Sequence, residues 1–139
     1  MGKTISISRV LSKDPALLVD RTCILVVEDE LLIRIMLSDS LRDAGFHVIE
    51  ANSADEALSL LESFAPDLIL SDVRMPGTLD GMGLLSAVKN SHPEIPVIIA
   101  SAHFESHVAI ASGAADFVAK PYTCELVIKI VEKHLAKMT

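Results

Sequence analysis

Several side chains that could do chemistry stand directly after short, strongly apolar segments of the chain. They are Glu28, Asp29 and Glu30 after the first such segment, Asp72 after the third, Ser101 after the fourth and Lys120 after the fifth. Carboxylates that lie close together repel one another unless a cation sits among them. Carboxylate oxygens are the donors that Mg²⁺ prefers, and a carboxylate can also attack a phosphoryl group. If the fold brings these residues together, the pattern predicts phosphoryl chemistry at a magnesium site.

The residue types suggest a division of roles within this set. Asp72 is the candidate nucleophile, because it ends the most apolar segment and would be held rigidly near the centre of a sheet. Mg²⁺ with open coordination positions neutralises phosphoryl oxygens. Ser101 could donate a hydrogen bond to such an oxygen, and Lys120 could pair with it as a point charge. The small side chain of Ala102 leaves space for the phosphoryl group.

The elements that must position these residues alternate regularly between strand and helix. Apolar, β-branched runs predict strands over 23–27, 47–51, 67–71, 97–100 and 116–119. Helical spacing of apolar residues predicts a helix after each strand, the second beginning with a capping box of Ser53 and Glu56. Such alternation predicts a doubly wound α/β fold, a parallel sheet with helices on both faces. Ligands bind beyond the carboxyl ends of such strands, where the polar residues above would meet.

Composition limits the classes of protein that fit. The 139 residues suit one domain, and 12 Lys and Arg against 19 Asp and Glu give a net charge of −7, which disfavours a dedicated nucleic-acid binder. Two cysteines, Cys23 and Cys124, are too few for a disulfide framework and favour a reducing compartment. No apolar run approaches the ~18 residues of a membrane span. We therefore expect a cytoplasmic protein without direct DNA or membrane contact.

Residues 1–21 are less regular than the rest. Residues 4–8 alternate like a short strand, and 15–19 could form a helical turn. We interpret residues 1–21 as an N-terminal extension and leave its order open.

As a set, the motifs resemble one known family, the receiver domain of two-component response regulators. The resemblance covers residues 22–139 and implies a flavodoxin-like, five-stranded parallel sheet in the order 2-1-3-4-5. The motifs that carry it are Val27-Glu28-Asp29-Glu30, Ser71-Asp72-Val73-Arg74-Met75-Pro76-Gly77, Asp80-Gly81, Ser101-Ala102 and Phe117-Val118-Ala119-Lys120-Pro121.

The resemblance also implies a role for each matching residue. Asp72 would accept a phosphoryl group from a partner histidine kinase or histidine phosphotransfer protein. Glu28 and Asp29 would form the acidic pair for Mg²⁺, with Asp72 and the backbone carbonyl of Arg74 as the remaining protein ligands. Lys120 would contact the phosphoryl group.

A switch pair and several flanking positions follow from the same resemblance. Ser101 and Phe117 would form the switch, the hydroxyl moving toward the phosphoryl group and the ring turning inward behind it. The Lys120–Pro121 bond would be cis. The residues that flank the site would be Arg74, Ala102, His103 and Pro121.

Two departures from the commonest receiver pattern are visible. The loop from Met75 to Gly81 is one residue longer than usual, and the stretch from Ser101 to Gly113 is about one helical turn shorter, which predicts a short or irregular fourth helix. A bacterial subset shares such features and carries Ala102-His103 and Lys120-Pro121-Tyr122 equivalents. Its members are free-standing or attached to sensor kinases.

We therefore interpret the chain as a phosphorylated signalling switch, a single-domain regulator or phosphorelay component with an unidentified downstream protein target. We expect slow self-dephosphorylation rather than enzymatic turnover, and a homodimer stays open. Three alternatives remain: a receiver module detached from a hybrid sensor kinase, a phosphorylation-independent binding module, and a phosphohydrolase. The last usually needs a second acid two residues after its nucleophile, where this chain has Arg74.

Overall fold

Five strands alternate with five helices in the part of the chain that the structure describes. The computed structural model describes residues 22–75, 77–102 and 106–136. The strands are β1 (Cys23–Val27), β2 (His47–Ala51), β3 (Leu68–Asp72), β4 (Val97–Ser101) and β5 (Asp116–Ala119). The helices are α1 (Leu31–Asp43), α2 (Ala54–Leu61), α3 (Gly81–Ser91), α4 (Ser106–Ala111) and α5 (Cys124–Ala136).

All neighbouring strands pair in parallel, in the order β2-β1-β3-β4-β5. Every residue of β1, β3 and β4 is buried, because helices cover both faces of the sheet. Alternate side chains enter two cores. Leu25, Ile69 and Ile99 lie in the core under α2, α3 and α4, and Ile24, Leu70 and Ile98 lie in the core under α1 and α5. The predicted fold class and strand order are confirmed.

The predicted capping box begins α2. The N–H of Glu56 donates to Ser53 Oγ at 3.1 Å, as the motif requires. Its return bond differs, because Glu56 Oε1 accepts from the N–H of Asn52 at 2.6 Å rather than from the capping residue itself.

Strand β3 lies one residue later than the sequence pattern predicts, over Leu68–Asp72 instead of 67–71. Asp67 stands before the strand, where its carboxylate accepts from the N–H of Cys23 at 2.8 Å. At the other end Asp72 pairs with Ala100 of β4. Strand β4 likewise extends one residue further, to Ser101. Asp72 and Ser101 are therefore the last residues of their strands, which fixes their backbones in the sheet.

Helix α4 has six residues, which confirms the expectation of a short fourth helix. The strand predicted at 4–8, the helical turn predicted at 15–19, Pro76 and His103 lie outside the described residues. Across 22–75, 77–102 and 106–136, no helix is long and apolar enough to cross a bilayer.

Candidate functional site

Three carboxylates meet at the carboxyl edge of the sheet. Glu28 and Asp29 follow β1, Asp72 ends β3, and one oxygen of each lies within 4.8 Å of the corresponding atoms of the other two. Glu28 and Asp72 are buried, with 2% and 9% of their surface exposed. Glu28 Oε2 accepts from the N–H of Glu30 at 3.1 Å, and Asp72 Oδ1 accepts from the N–H of Val73 at 2.8 Å.

Burial raises the pKa of Glu28 above its ordinary value, and the nearby charge on Asp72 adds to that increase, while the bond from Glu30 opposes it. The increase is thus mainly an effect of burial, which disfavours the charged carboxylate, and Lys120 also opposes it.

Lys120 supplies a positive charge to this cluster. Its Nζ lies 3.1 Å from Asp72 Oδ2 and 3.4 Å from Glu28 Oε1. Burial alone would lower the pKa of Lys120, but the hydrogen bond to Asp72 and the charges of Asp72 and Glu28 raise it above its ordinary value. The ammonium therefore stays charged and offsets one of the three carboxylates.

The ends of β4 and β5 lie beside the carboxylates. The side chain of Ser101 is buried, and its carbonyl accepts from the N–H of Lys120 at 2.8 Å. Ala102 follows on the surface, and the Lys120–Pro121 bond is cis, as predicted. The structure thus brings Ser101, Ala102, Lys120 and Pro121 to the same edge as Asp72.

Phe117, the second predicted switch residue, is half-buried in β5 and packs against the core under α2, α3 and α4. Its N–H donates to Asp116 Oδ1 at 2.8 Å, and Asp116 Oδ2 lies 2.8 Å from His134 Nε2 of α5. Burial would raise the pKa of Asp116, but the hydrogen bonds from His134 and Phe117 lower it below its ordinary value. An anionic Asp116 therefore joins α5 to β5 next to Phe117. The switching motion of Ser101 and Phe117 stays a prediction.

The loop from β3 to α3 folds tightly against the end of β3. The N–H of Gly81 donates to the Val73 carbonyl at 2.8 Å. A Cβ at Gly81 would collide with the Asp72 carbonyl and stand 2.8 Å from Val73 Cα. Asp80 then caps α3, accepting from the N–H of Gly83 at 2.9 Å. The Asp80-Gly81 pair thus allows α3 to begin in contact with Asp72.

Arg74 lies at this loop with an exposed side chain. It lines a groove of about 510 Å³, together with Val73, Met75, Asp80, Met82 and Val108. The role of its carbonyl as a metal ligand stays a prediction, and the predicted flanking residue His103 lies outside the described part of the chain.

A second groove, of about 330 Å³, opens directly beside Lys120 and is mostly apolar. It is lined by Ile33, Met36, Ala102, Lys120, Pro121 and Tyr122. Burial, and then the charges of Glu28 and Asp72, raise the pKa of Tyr122, so its phenol stays neutral. In the sequence Tyr122 stands out only as part of the motif Lys120-Pro121-Tyr122, and the groove was not predicted.

Arg34, which was not predicted from the sequence, contacts the acidic turn. Its Nη1 donates to the carbonyl of Glu28 at 2.8 Å, and its Nε donates to Glu50 Oε1 at 3.1 Å. One feature of the sequence could have indicated a role for Arg34, namely its place near the N-terminus of α1. The helix dipole disfavours a cation there, so an arginine at that position suggests a compensating interaction.

The donor set at this edge fits Mg²⁺. Its oxygens are hard ligands, and two oxygens bound to one Mg²⁺ stand at most about 4.2 Å apart. One carboxylate oxygen each of Glu28, Asp29 and Asp72 lies within 4.8 Å of the other two. Small side-chain movements would bring these oxygens to the separation that a shared Mg²⁺ requires. A divalent cation would also neutralise the charge that Lys120 leaves uncompensated.

Residues 24–132 match the family model described as the response regulator receiver domain. The chain belongs to this family. Receivers are phosphorylated on an aspartate by histidine kinases, and they bind Mg²⁺ at an acidic pocket. The resemblance drawn from the sequence motifs is therefore confirmed.

Curated relatives of this receiver include longer regulators. The DNA-binding transcriptional regulator NtrC of Salmonella typhimurium is 37% identical over 119 residues, which are 84% of this chain and 25% of NtrC. The nitrogen assimilation regulatory protein NtrX of Azorhizobium caulinodans is 37% identical over 116 residues, 81% of this chain and 26% of NtrX. The chain thus spans about a quarter of the length of these relatives.

Solved structures agree with the receiver fold. The receiver domain of NtrX from Brucella abortus is 38% identical, with a TM-score of 0.77 over 81% of this chain and 98% of that one. The response regulator TrrA of Thermotoga maritima, solved in complex with Mg(2+)-BeF, is 27% identical with a TM-score of 0.74 over 81% of this chain and 97% of that one.

Proposed function

We propose that this receiver accepts a phosphoryl group on Asp72 from a histidine kinase or histidine phosphotransfer protein and passes the signal to another protein through a change in its surface. The observation that carries the proposal is the convergence of Asp72 with Glu28, Asp29 and Lys120 at one edge of the sheet. Mg²⁺ held by Glu28, Asp29, Asp72 and the Arg74 carbonyl would neutralise phosphoryl oxygens when bound.

The transfer needs one bond to break and one to form. An oxygen of the Asp72 carboxylate attacks the phosphorus of a phosphohistidine, the N–P bond breaks, and its electron pair returns to the imidazole nitrogen. Lys120 holds its ammonium beside Asp72 and pairs with the transferred group, and Ser101 donates its hydroxyl to it. Phe117 then turns inward, which alters the surface over β4 and β5.

Three further parts of the proposal concern the protein as a whole. Residues 22–139 form the receiver and 1–21 an extension, a division that the family match over 24–132 supports. A cytoplasmic location is supported by the low cysteine content, because Cys23 and Cys124 are too few for the disulfide framework typical of small secreted domains. The acyl phosphate hydrolyses slowly without enzymatic turnover, because position 74 offers an exposed arginine where a phosphohydrolase needs an acid.

The direct test is incubation of the protein with a small-molecule phosphodonor and Mg²⁺, read by intact mass. We expect one added phosphoryl group in the wild type, and none in Asp72→Asn or with a chelator present. The control Asp67→Asn alters the aspartate that precedes β3, at the end of the strand opposite Asp72, and should still be modified. A phosphoryl mass that persists in Asp72→Asn would disprove the assignment, and turnover of many phosphoesters would favour the phosphohydrolase. Wild type that is never modified would favour a binding module.

A further inference from the structure

Arg34 joins three parts of the fold with one side chain. The residue lies on α1, its Nη1 donates to the Glu28 carbonyl at 2.8 Å, and its Nε donates to Glu50 Oε1 of β2 at 3.1 Å. Only 15% of the side chain is exposed, so these bonds face little competition from water. A guanidinium can make both bonds at once because its donors form a rigid fork.

The turn that carries the acidic pair lacks the usual helix cap. Glu30 occupies the N-cap position of α1 but its side chain makes no capping hydrogen bond, and the first turn of α1 has no acidic residue. Instead, Glu28 Oε2 accepts from the N–H of Glu30, and Arg34 holds the carbonyl of Glu28. Arg34 therefore fastens the backbone of this turn from the helix side.

The charge of Arg34 is neutralised by Glu50, which lies outside the carboxylate cluster. Its partner Glu50 also accepts from Arg42 Nη2 at 3.1 Å, so Glu50 lies between two arginines of α1. An unpaired cation near the acidic turn would repel Mg²⁺, but pairing with Glu50 reduces that repulsion. The main effect of Arg34 on the acidic turn is then geometric.

We propose that Arg34 is a positioning residue for the magnesium site. By holding the Glu28 carbonyl, it fixes the backbone from which the Glu28 and Asp29 carboxylates reach the cation. The inference rests on the proposed function, because it takes these carboxylates as the magnesium ligands.

The test measures Mg²⁺ affinity by titration calorimetry on the full chain. We expect Arg34→Met to bind Mg²⁺ about tenfold more weakly than the wild type, the size typical when a residue that orients a metal ligand is lost. Arg34→Lys should lie between them, because it keeps the charge but its single nitrogen lacks the separate Nε and Nη1 donors that reach Glu50 and Glu28. Urea unfolding in a chelator measures the stability of each apo variant separately.

The matched control is Arg42→Met. Arg42 lies on the same helix and shares Glu50, but its other backbone bond is to the Val48 carbonyl at 3.2 Å instead of to Glu28. Its loss should lower stability and leave Mg²⁺ affinity unchanged.

Each possible result supports or overturns a specific claim. Weaker Mg²⁺ binding in Arg34→Met alone supports the proposal. Wild-type affinity in Arg34→Met, or equal weakening in Arg42→Met, overturns it. If Arg34→Met does not fold, Arg34→Lys decides, and unchanged affinity in that variant is equally damaging. Wild type that binds no Mg²⁺ would instead overturn the proposed function.

Discussion

Lys120 and Mg²⁺ have overlapping electrostatic tasks at the level of single residues. Both would neutralise carboxylates that burial keeps from water, and Lys120 already contacts Glu28 and Asp72. Among the described residues, Lys120 forms ion pairs with Glu28 and Asp72 and none with Asp29. Its ammonium therefore neutralises only part of the carboxylate cluster. The contribution of Lys120 to the free energy of unfolding should therefore depend on whether Mg²⁺ is bound.

We predict that Lys120→Met destabilises the protein more without Mg²⁺ than with it. Loss of the ammonium leaves two buried carboxylates without their cation, which should cost about 1–3 kcal/mol of unfolding free energy in a chelator. Saturating Mg²⁺ restores positive charge to the same cluster and should recover part of that loss. Urea unfolding of wild type and variant, each with chelator and with Mg²⁺, measures both quantities.

The control for this prediction is Lys89→Met, on α3 with an exposed side chain. Its effect should be small and the same in both conditions. An Mg²⁺-independent loss in Lys120→Met would mean that Lys120 acts by packing and not by charge.

At the scale of elements, the start of α3 depends on a glycine that permits contact with β3. We predict that Gly81→Ala costs about 2 kcal/mol, because the added methyl group meets backbone atoms of Asp72 and Val73 that cannot move without distorting the site. Phosphorylation of Asp72 should slow as well, since its carbonyl is displaced. Thermal unfolding and the rate of modification by a small phosphodonor check the two effects.

Gly83→Ala is the matched change two residues further along α3. There the added methyl group meets side-chain atoms rather than backbone, Leu79 Cδ1 and Cγ at 2.6 and 2.9 Å and Asp80 Oδ1 at 3.6 Å. The Leu79 side chain can move aside and alanine favours the helix, so stability should stay within about 1 kcal/mol of wild type. Equal losses in the two variants would contradict the argument from close approach.

The order of elements was predictable from sequence because each strand is a short apolar run and each helix has its own spacing. The strand ends at Asp72 and Ser101 were placed one residue early, because hydropathy ends a strand at the first polar residue while the backbone pairing continues. Arg34 was missed for a different reason. Its bonds to Glu28 and Glu50 join residues 6 and 16 positions away, and such contacts exist only after α1 packs against the sheet.

At the scale of the whole molecule, the edge that carries Asp72 is flanked by apolar surface on one side. Leu31, Leu32 and Met36 of α1 are exposed, by 57%, 80% and 48%. Met36 also lines the groove that contains Lys120 and Tyr122. A protein that delivers a phosphoryl group to Asp72 must cover this edge, and the apolar groove beside Lys120 offers it a surface to bury.

We predict that Met36→Lys slows phosphorylation by a protein donor and leaves modification by a small phosphodonor unchanged. A charged side chain in the groove would have to be desolvated when a protein covers it, whereas a small molecule needs only the carboxylate site. The two rates, measured with a phosphorylated histidine phosphotransfer protein or kinase and with a small phosphodonor, separate docking from chemistry.

Ile110→Lys provides a control of equal exposure, since Ile110 is also 48% exposed but lies on α4, against the opposite face of the sheet. Because both side chains are exposed, neither change should unfold the protein. A docking role for the groove requires that Met36→Lys alone slows transfer from the protein donor. If both variants slow it equally, added charge and not position is the cause. If neither does, the groove beside Lys120 plays no part in docking, whereas slowing in Ile110→Lys alone would place the donor on the α4 side.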